Sequence, residues 1–179
     1  MPTPPPGPAP APQWEASPVD LKWGVLFKAD GNPTERWIKI LGGLGQHLMD
    51  EFRPENTLVI TPGKMAAFYS LHKLEQEIFP FTEIFRHPHN ATLPDLYQRL
   101  ACEYFLVPSE PNAHPTLPGL TLAGWTHWVT LFTQAYPHEE AQRLAKAVTA
   151  LPINAPSLLD GKPERLPKQI SRHLLPPAP

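Results

Sequence analysis

The stretch Pro118–Tyr136 limits the possible folds more sharply than any other part of the chain. Within it Trp125, Trp128, Val129, Phe132 and Tyr136 recur at i, i+3, i+4, i+7 and i+11, one face of a 3.6-residue helix. Thr121 stands where an N-cap is needed. Two indoles, a phenyl and a phenol on one face carry more apolar area than any other window, so this helix is stable only when other elements cover that face. It is expected to be the hub of the core.

The flanking segments supply covers of the same kind. Leu21–Phe27 opens the folded part, and Asp30-Gly31-Asn32-Pro33 marks a turn. Asn32 suits an N-cap, Pro33 the first helical position, and Glu35 at N3 completes a capping box. That helix is expected to reach about Phe52, with Trp37, Leu41, Leu44 and Leu48 inward and Pro54 beyond its end. Thr57–Ile60 reads as a brief strand. Thr61-Pro62-Gly63-Lys64 opens a second helix with Met65, Phe68, Leu71 and Ile78 inward, and Phe81–Phe85 adds a turn after Pro80. The next helix starts at Leu93-Pro94-Asp95 and carries Leu96, Tyr97, Leu100, Ala101 and Tyr104 on its stripe. Another follows Pro137, with Ala141, Leu144, Ala145 and Val148 inward. Leu151–Pro163 reads as irregular. Leu166, Ile170 and Leu174, spaced by four, predict a last short helix within Glu164–Leu175.

One echo organises these pieces. Ile60-Thr61 and Leu120-Thr121 each put an apolar extended residue before a Thr cap, with large apolar residues four and seven positions after that Thr. This is the exit half of a helix–loop–helix unit, seen twice. It predicts that the two pre-helix segments pair as a minimal two-strand ladder. The expected class is all-α: a compact multi-helix domain with that one pairing.

Proline sets the domain's limits. Eight of its 26 residues lie in the first eighteen positions, where a fixed φ and a missing N–H favour polyproline II over packing. Residues 1–19 therefore read as a disordered tail, 20–175 as the domain, 156–175 as a strap folded back on it, and 176–179 as a loose end. The tail resembles SH3 or WW ligands, but lacks a nearby arginine or lysine to orient it.

A net charge of −2 gives no basic field for a polyanion, so nucleic-acid binding is not expected. A lone Cys102 excludes an intrachain disulfide and fits a reducing compartment. The N-terminus does not read as a secretory signal, and no apolar run is long enough for a membrane span. An intracellular protein, cytoplasmic or nuclear, is expected.

Candidate chemistry is sparse. Asp30–Glu35 begins like a calcium loop, yet Glu35 and Leu41 stand where Gly and Glu are needed. Gly42-Gly43-Leu44-Gly45 lacks the strand and the Lys-Ser/Thr pair of a phosphate cradle. Each Gly there costs about 1 kcal/mol relative to Ala, so close approach by another helix explains them better. His87 and His89, with His114 or His138, form no tight metal set. Cys102 is read as a structural cysteine within a helix. No cofactor is expected. The remaining candidates are an aromatic pocket of Tyr97, Trp125, His127 and Trp128, and the basic tail residues Lys168 and Arg172.

Several stretches carry a family likeness. They are Trp23–Phe27 with Gly31–Thr34, Leu58–Met65, Leu96-Tyr97, Cys102–Tyr104, Pro115–Thr121 and Glu164–Arg172. Together they run through nearly the whole chain from Trp23 to Pro176, and in them the chain resembles a fungal family of domains of unknown function. The resemblance implies an intracellular helical domain, often joined to Pro-rich disorder, and brings no catalytic or ligand residues. Family members typically have an acidic residue where Lys28 stands, a further argument against a cation site. The expected function is that of a non-enzymatic module binding an unidentified protein partner. The rival is a small-ligand or enzymatic site in the aromatic pocket near Trp125 and Trp128.

Overall fold

A computed structural model describes residues 1–7, 17–87 and 92–179. The elements run α1 (Pro18–Trp23), α2 (Glu35–Glu51), α3 (Pro62–Leu71), α4 (Phe81–Arg86), α5 (Thr92–Arg99), β1 (Tyr104–Pro108), β2 (Pro115–Leu120), α6 (Leu122–Ala135), α7 (Pro137–Ala150), β3 (Asn154–Pro156) and β4 (Pro163–Arg165). Arg172–Leu174 make a single 3-10 turn. The protein is mostly helical, and its described strands form two antiparallel hairpins, β1–β2 and β3–β4. Residues 8–16 of the Pro-rich tail, and the His89 end of the histidine loop, lie outside the described residues. No described helix is long and apolar enough to cross a membrane.

The tryptophan helix is α6. The Thr121 hydroxyl caps it by accepting the Gly124 N–H at 3.0 Å. Trp125 and Trp128 are wholly buried, while Val129, Phe132 and Tyr136 sit half-buried at the edge of the core. A second face is buried too, through Thr126, Thr130 and Thr133. Thr130 and Thr133 donate to the carbonyls of Thr126 and Val129 in their own helix, at 2.6 and 2.7 Å. Thr130 also accepts the Trp37 indole N–H at 3.0 Å, which joins α6 to α2. Threonine hydroxyls satisfied in this way let a polar face be buried without loss.

Close packing of α2 explains two of its three glycines. A Cβ on Gly45 would lie 2.7 Å from the Trp125 ring, and one on Gly43 would lie 2.1 Å from the Asn154 carbonyl oxygen. Gly42 faces open space. The approach is thus by a helix at Gly45 and by strand β3 at Gly43.

The echoed segments do meet. Ile60 and Leu120 exchange backbone hydrogen bonds at 2.8 and 2.9 Å, an antiparallel bridge one residue long. Thr61 and Thr121 then cap α3 and α6 from adjacent positions. Beside this bridge the Lys64 ammonium is buried, donating to the Met49 carbonyl and the Thr57 hydroxyl at 2.6 Å each. Met49 is in the last turn of α2, where the helix dipole favours a cation.

Several expectations need correction. Thr34, not Asn32, caps α2, by accepting the Trp37 N–H at 3.3 Å. Asn32 instead donates its N–H to Asp30 at 2.9 Å in the preceding turn. Helix α5 stops at Arg99. Ala101 adopts a left-handed φ of 57°, and the Cys102 N–H turns back to the Tyr97 carbonyl at 2.8 Å. Cys102 is therefore buried in the turn after the helix rather than within it. Tyr104-Phe105-Leu106-Val107 is strand, as aromatic and β-branched residues prefer. Leu71 and Ile78 are exposed. The predicted last helix is absent, because Pro167 within it has no N–H to donate and biases Leu166 before it away from helical backbone angles. That segment forms β4 and then an extended strap, which buries Leu166 and Leu175.

Candidate functional site

The four residues expected to line an aromatic pocket do not share one. Tyr97, Trp125 and Trp128 are fully buried in a filled core. The Trp125 indole donates to the Leu41 carbonyl at 3.0 Å, and the Trp128 indole donates to the Tyr69 hydroxyl at 2.8 Å. Phe85, Tyr97 and Phe132 surround Trp128 with ring centroids at 5.5, 5.8 and 4.7 Å. His127 points the other way, onto an open apolar depression of about 380 Å³ lined by Ile38, Gly42, Leu122 and Thr126. Lys168 is exposed on the strap. Arg172 is half-buried and donates locally to the Leu175 and Pro176 carbonyls at 3.4 and 2.9 Å.

What converges instead is the junction of α1 with the strap. Ser17-Pro18-Val19-Asp20 is a capping box: the Ser17 hydroxyl accepts the Asp20 N–H, and the Asp20 carboxylate accepts the Ser17 N–H. The same carboxylate accepts the Ser171 hydroxyl at 2.7 Å and faces the His173 Nε2 at 3.1 Å. Burial works against its charge, but hydrogen bonds from Ser171, Ser17 and His173 outweigh burial and hold the carboxyl below its usual range. The Trp23 indole donates to the Gln169 carbonyl at 2.7 Å. Arg36 ties the end of α1 to β3 by donating to the carbonyls of Lys22, Trp23 and Pro156.

These ties frame an open groove of about 710 Å³ lined by Leu21, Val25, Phe27, Leu158, His173 and Leu174, among others. Gly24, at φ 78°, forms part of its floor, where an added Cβ would press on Leu158 at 3.1 Å. Val25 is 70% exposed, and Leu159, next to Leu158, is 97% exposed. Ser171 and His173 both hydrogen-bond to the central carboxylate, which is the geometry of a cap. Nucleophile activation needs an imidazole bonded to the hydroxyl, with the carboxylate behind it. The capping box was visible in the sequence as Ser-x-x-Asp, but it straddles the boundary drawn between tail and domain, with Ser17 on the tail side and Asp20 on the domain side.

A second polar cluster lies inside the fold. Arg143 of α7 is buried and bidentate to Glu77 at 2.9 and 2.7 Å. It also contacts Glu140 at 3.3 Å and the His72 carbonyl at 3.0 Å, and it stacks 4.7 Å over the Tyr69 ring. Burial pushes the Glu140 carboxyl above its usual range despite Arg143, while hydrogen bonds from Arg143 and the Leu74 N–H hold Glu77 below its own despite burial. The cluster joins α7 to the segment after α3 and is fully engaged in doing so. Among the described residues, no three His, Cys, Asp or Glu side chains are placed to hold a metal ion.

His72 borders this cluster. Its ring meets Phe68 edge-on at 4.9 Å, and its buried Nε2 has no hydrogen-bond partner among the described residues. Burial, and then the charges of Arg143 and Lys146, push its imidazole down from 6.5 to about 4. The unfolded chain therefore binds the proton first as pH falls. The stability contributed by neutral His72 is complete above pH 6.5 and is lost progressively toward pH 4. Urea unfolding of the wild type, compared with His72→Phe, should show an added loss approaching ~1.4 kcal/mol per pH unit in that window. Parallel pH profiles for the two proteins would refute this.

A family model described as "Domain of unknown function (DUF7514)" matches residues 24–179. Neither a curated protein nor a solved structure matches the chain.

Proposed function

The chain belongs to that family of domains of unknown function, and we propose that this member is a non-enzymatic, intracellular interaction module. The groove between α1 and the strap takes the apolar side chains of a protein partner. The observation that carries this reading is the groove's composition. Its rim exposes Leu21, Val25 and Leu158, while its one buried charge among the described residues, Asp20, is already satisfied by Ser17, Ser171 and His173. A reactive centre needs a group left poised for substrate, whereas a docking groove needs an apolar floor and a settled polar frame. Lys22 and Glu164 neutralise each other beside it at 3.2 Å, so shape rather than charge selects the partner.

The test uses peptides selected by display against the full chain, with binding mapped by NMR shifts. Selected peptides should carry large aliphatic or aromatic anchors, perturb Val25 and Leu158, and bind with little dependence on salt. Leu158→Asp should weaken them at least tenfold, as expected for an anchor pocket. Peptides indifferent to Leu158→Asp would overturn the proposal. One observation favours a second reading, a small apolar ligand. The volume of the groove falls within the ~300–1,000 Å³ typical of such sites.

A further inference from the structure

We propose that the outer edge of β1 is a self-association surface, on which a second copy of this chain pairs its own β1 antiparallel about a two-fold axis at Leu106. The hydrogen-bond phase of the β1–β2 hairpin exposes this edge. Leu120 spends both its backbone N–H and its carbonyl on Ile60, and Thr121 donates to the Glu103 carbonyl at 3.2 Å. The ladder bonds of β1 therefore belong to Phe105 opposite Gly119 and Val107 opposite Leu117. Tyr104 opposite Leu120 and Leu106 opposite Pro118 are the non-bonded pairs, consistent with Pro118 having no N–H to give. Tyr104 and Leu106 consequently turn their N–H and C=O groups outward, where no backbone partner meets them among the described residues.

Groups spaced two residues apart along an edge are matched only by another extended strand. Sheet edges are normally protected by charge, proline or a bulge. Here Tyr104–Val107 carries no charge, Phe105 is 60% and Leu106 50% exposed, and protection begins only at Pro108, where the register shifts.

The edge is its own complement. A two-fold axis at Leu106 lets the two Leu106 residues exchange both backbone hydrogen bonds. It also sets each Phe105 against the other copy's Val107, the aromatic–β-branched pairing that stabilises antiparallel strands. Tyr104 then faces Pro108, whose missing N–H ends the ladder. A net charge of −2 per chain leaves little repulsion between copies. An edge this short buries less than the ~1,200 Å² of a standard stable interface, so the dimer forms in proportion to concentration.

Sedimentation velocity of the full chain between roughly 5 and 500 µM should show average mass rising from one chain toward two. Leu106→Pro removes an N–H that the β1–β2 ladder does not use, and proline is tolerated on such an edge. It should weaken association at least tenfold with an unchanged circular dichroism spectrum. Should that variant fail to fold, Leu106→Cys decides. Residues opposed at about 5.5 Å between Cα atoms fall within disulfide reach, so mild oxidation should yield a covalent dimer. Leu158→Asp should leave association intact, which separates this surface from the groove. A chain that stays monomeric throughout, or a well-folded Leu106→Pro that associates like the wild type, overturns the proposal.

Discussion

Arg143→Met should lower the stability of the fold by about 3–5 kcal/mol, because the substitution strands two buried carboxylates around an uncharged side chain. Glu77 and Glu140 share this guanidinium with side-chain exposures of only 15% and 9%. Burial already pushes Glu140 toward its protonated form with the arginine in place. Without the arginine both folded-state carboxyls should rise above their ordinary value of 4.5. The contribution of these two carboxyls to the mutant's stability is then greatest below pH 4.5 and falls as pH rises through the raised values, so the difference from wild type should widen from pH 4 to pH 7. Arg143→Lys should recover only part of the loss, since an ammonium cannot hold Glu77 in two parallel bonds while stacking on Tyr69. Urea denaturation at both pH values is the measurement. A loss under about 1 kcal/mol at pH 7 would mean that the cluster is ornamental.

None of that cluster was legible in the sequence. Glu139-Glu140-Ala141-Gln142-Arg143 looks like an ordinary solvated helix face, and its partner Glu77 lies 66 residues away. Local patterns report caps and stripes, and the caps of α3 and α6 were read correctly from them, whereas that of α2 was placed two residues early, at Asn32 instead of Thr34. Thr61 and Thr121 cap their helices as expected, and their shared context brought Ile60 and Leu120 into register. The strands were harder to see. Tyr104 falls at helical spacing from Tyr97 and Leu100, and it still packs against Tyr97 at 5.6 Å after the chain has turned into β1. The prolines of β2 concealed a strand for a similar reason. Pro118 occupies a non-bonded pair, where the ladder needs no donor. The groove at Asp20 was hidden because its frame joins residues about 150 positions apart, Asp20 with Ser171 and His173.

Aromatic stripes pose a further ambiguity, since a pocket wall and a packed core share one spacing. The indole partners distinguish them, and they lead to an equally large expected effect at Trp128. Trp128→Ala should destabilise the protein by about 3–5 kcal/mol, the range for emptying a buried aromatic site. The Trp128 indole fills the space between Phe81, Phe85, Tyr97 and Phe132 while donating to the Tyr69 hydroxyl. Trp128→Phe keeps most of the volume but strands that hydroxyl, for which about 1–3 kcal/mol is expected. Pairing Trp128→Phe with Tyr69→Phe should cost less than the two single changes added together, because each alone leaves the other's polar atom unmet. The cavity opened by Trp128→Ala is the shape of an indole and retains the Tyr69 oxygen that an indole N–H can reach. Added indole should therefore raise the melting temperature of Trp128→Ala and leave the wild type unmoved. If the alanine variant melts within a degree or two of wild type, the ring at position 128 is a lining residue after all, and the account of α6 as the filled centre of the fold fails.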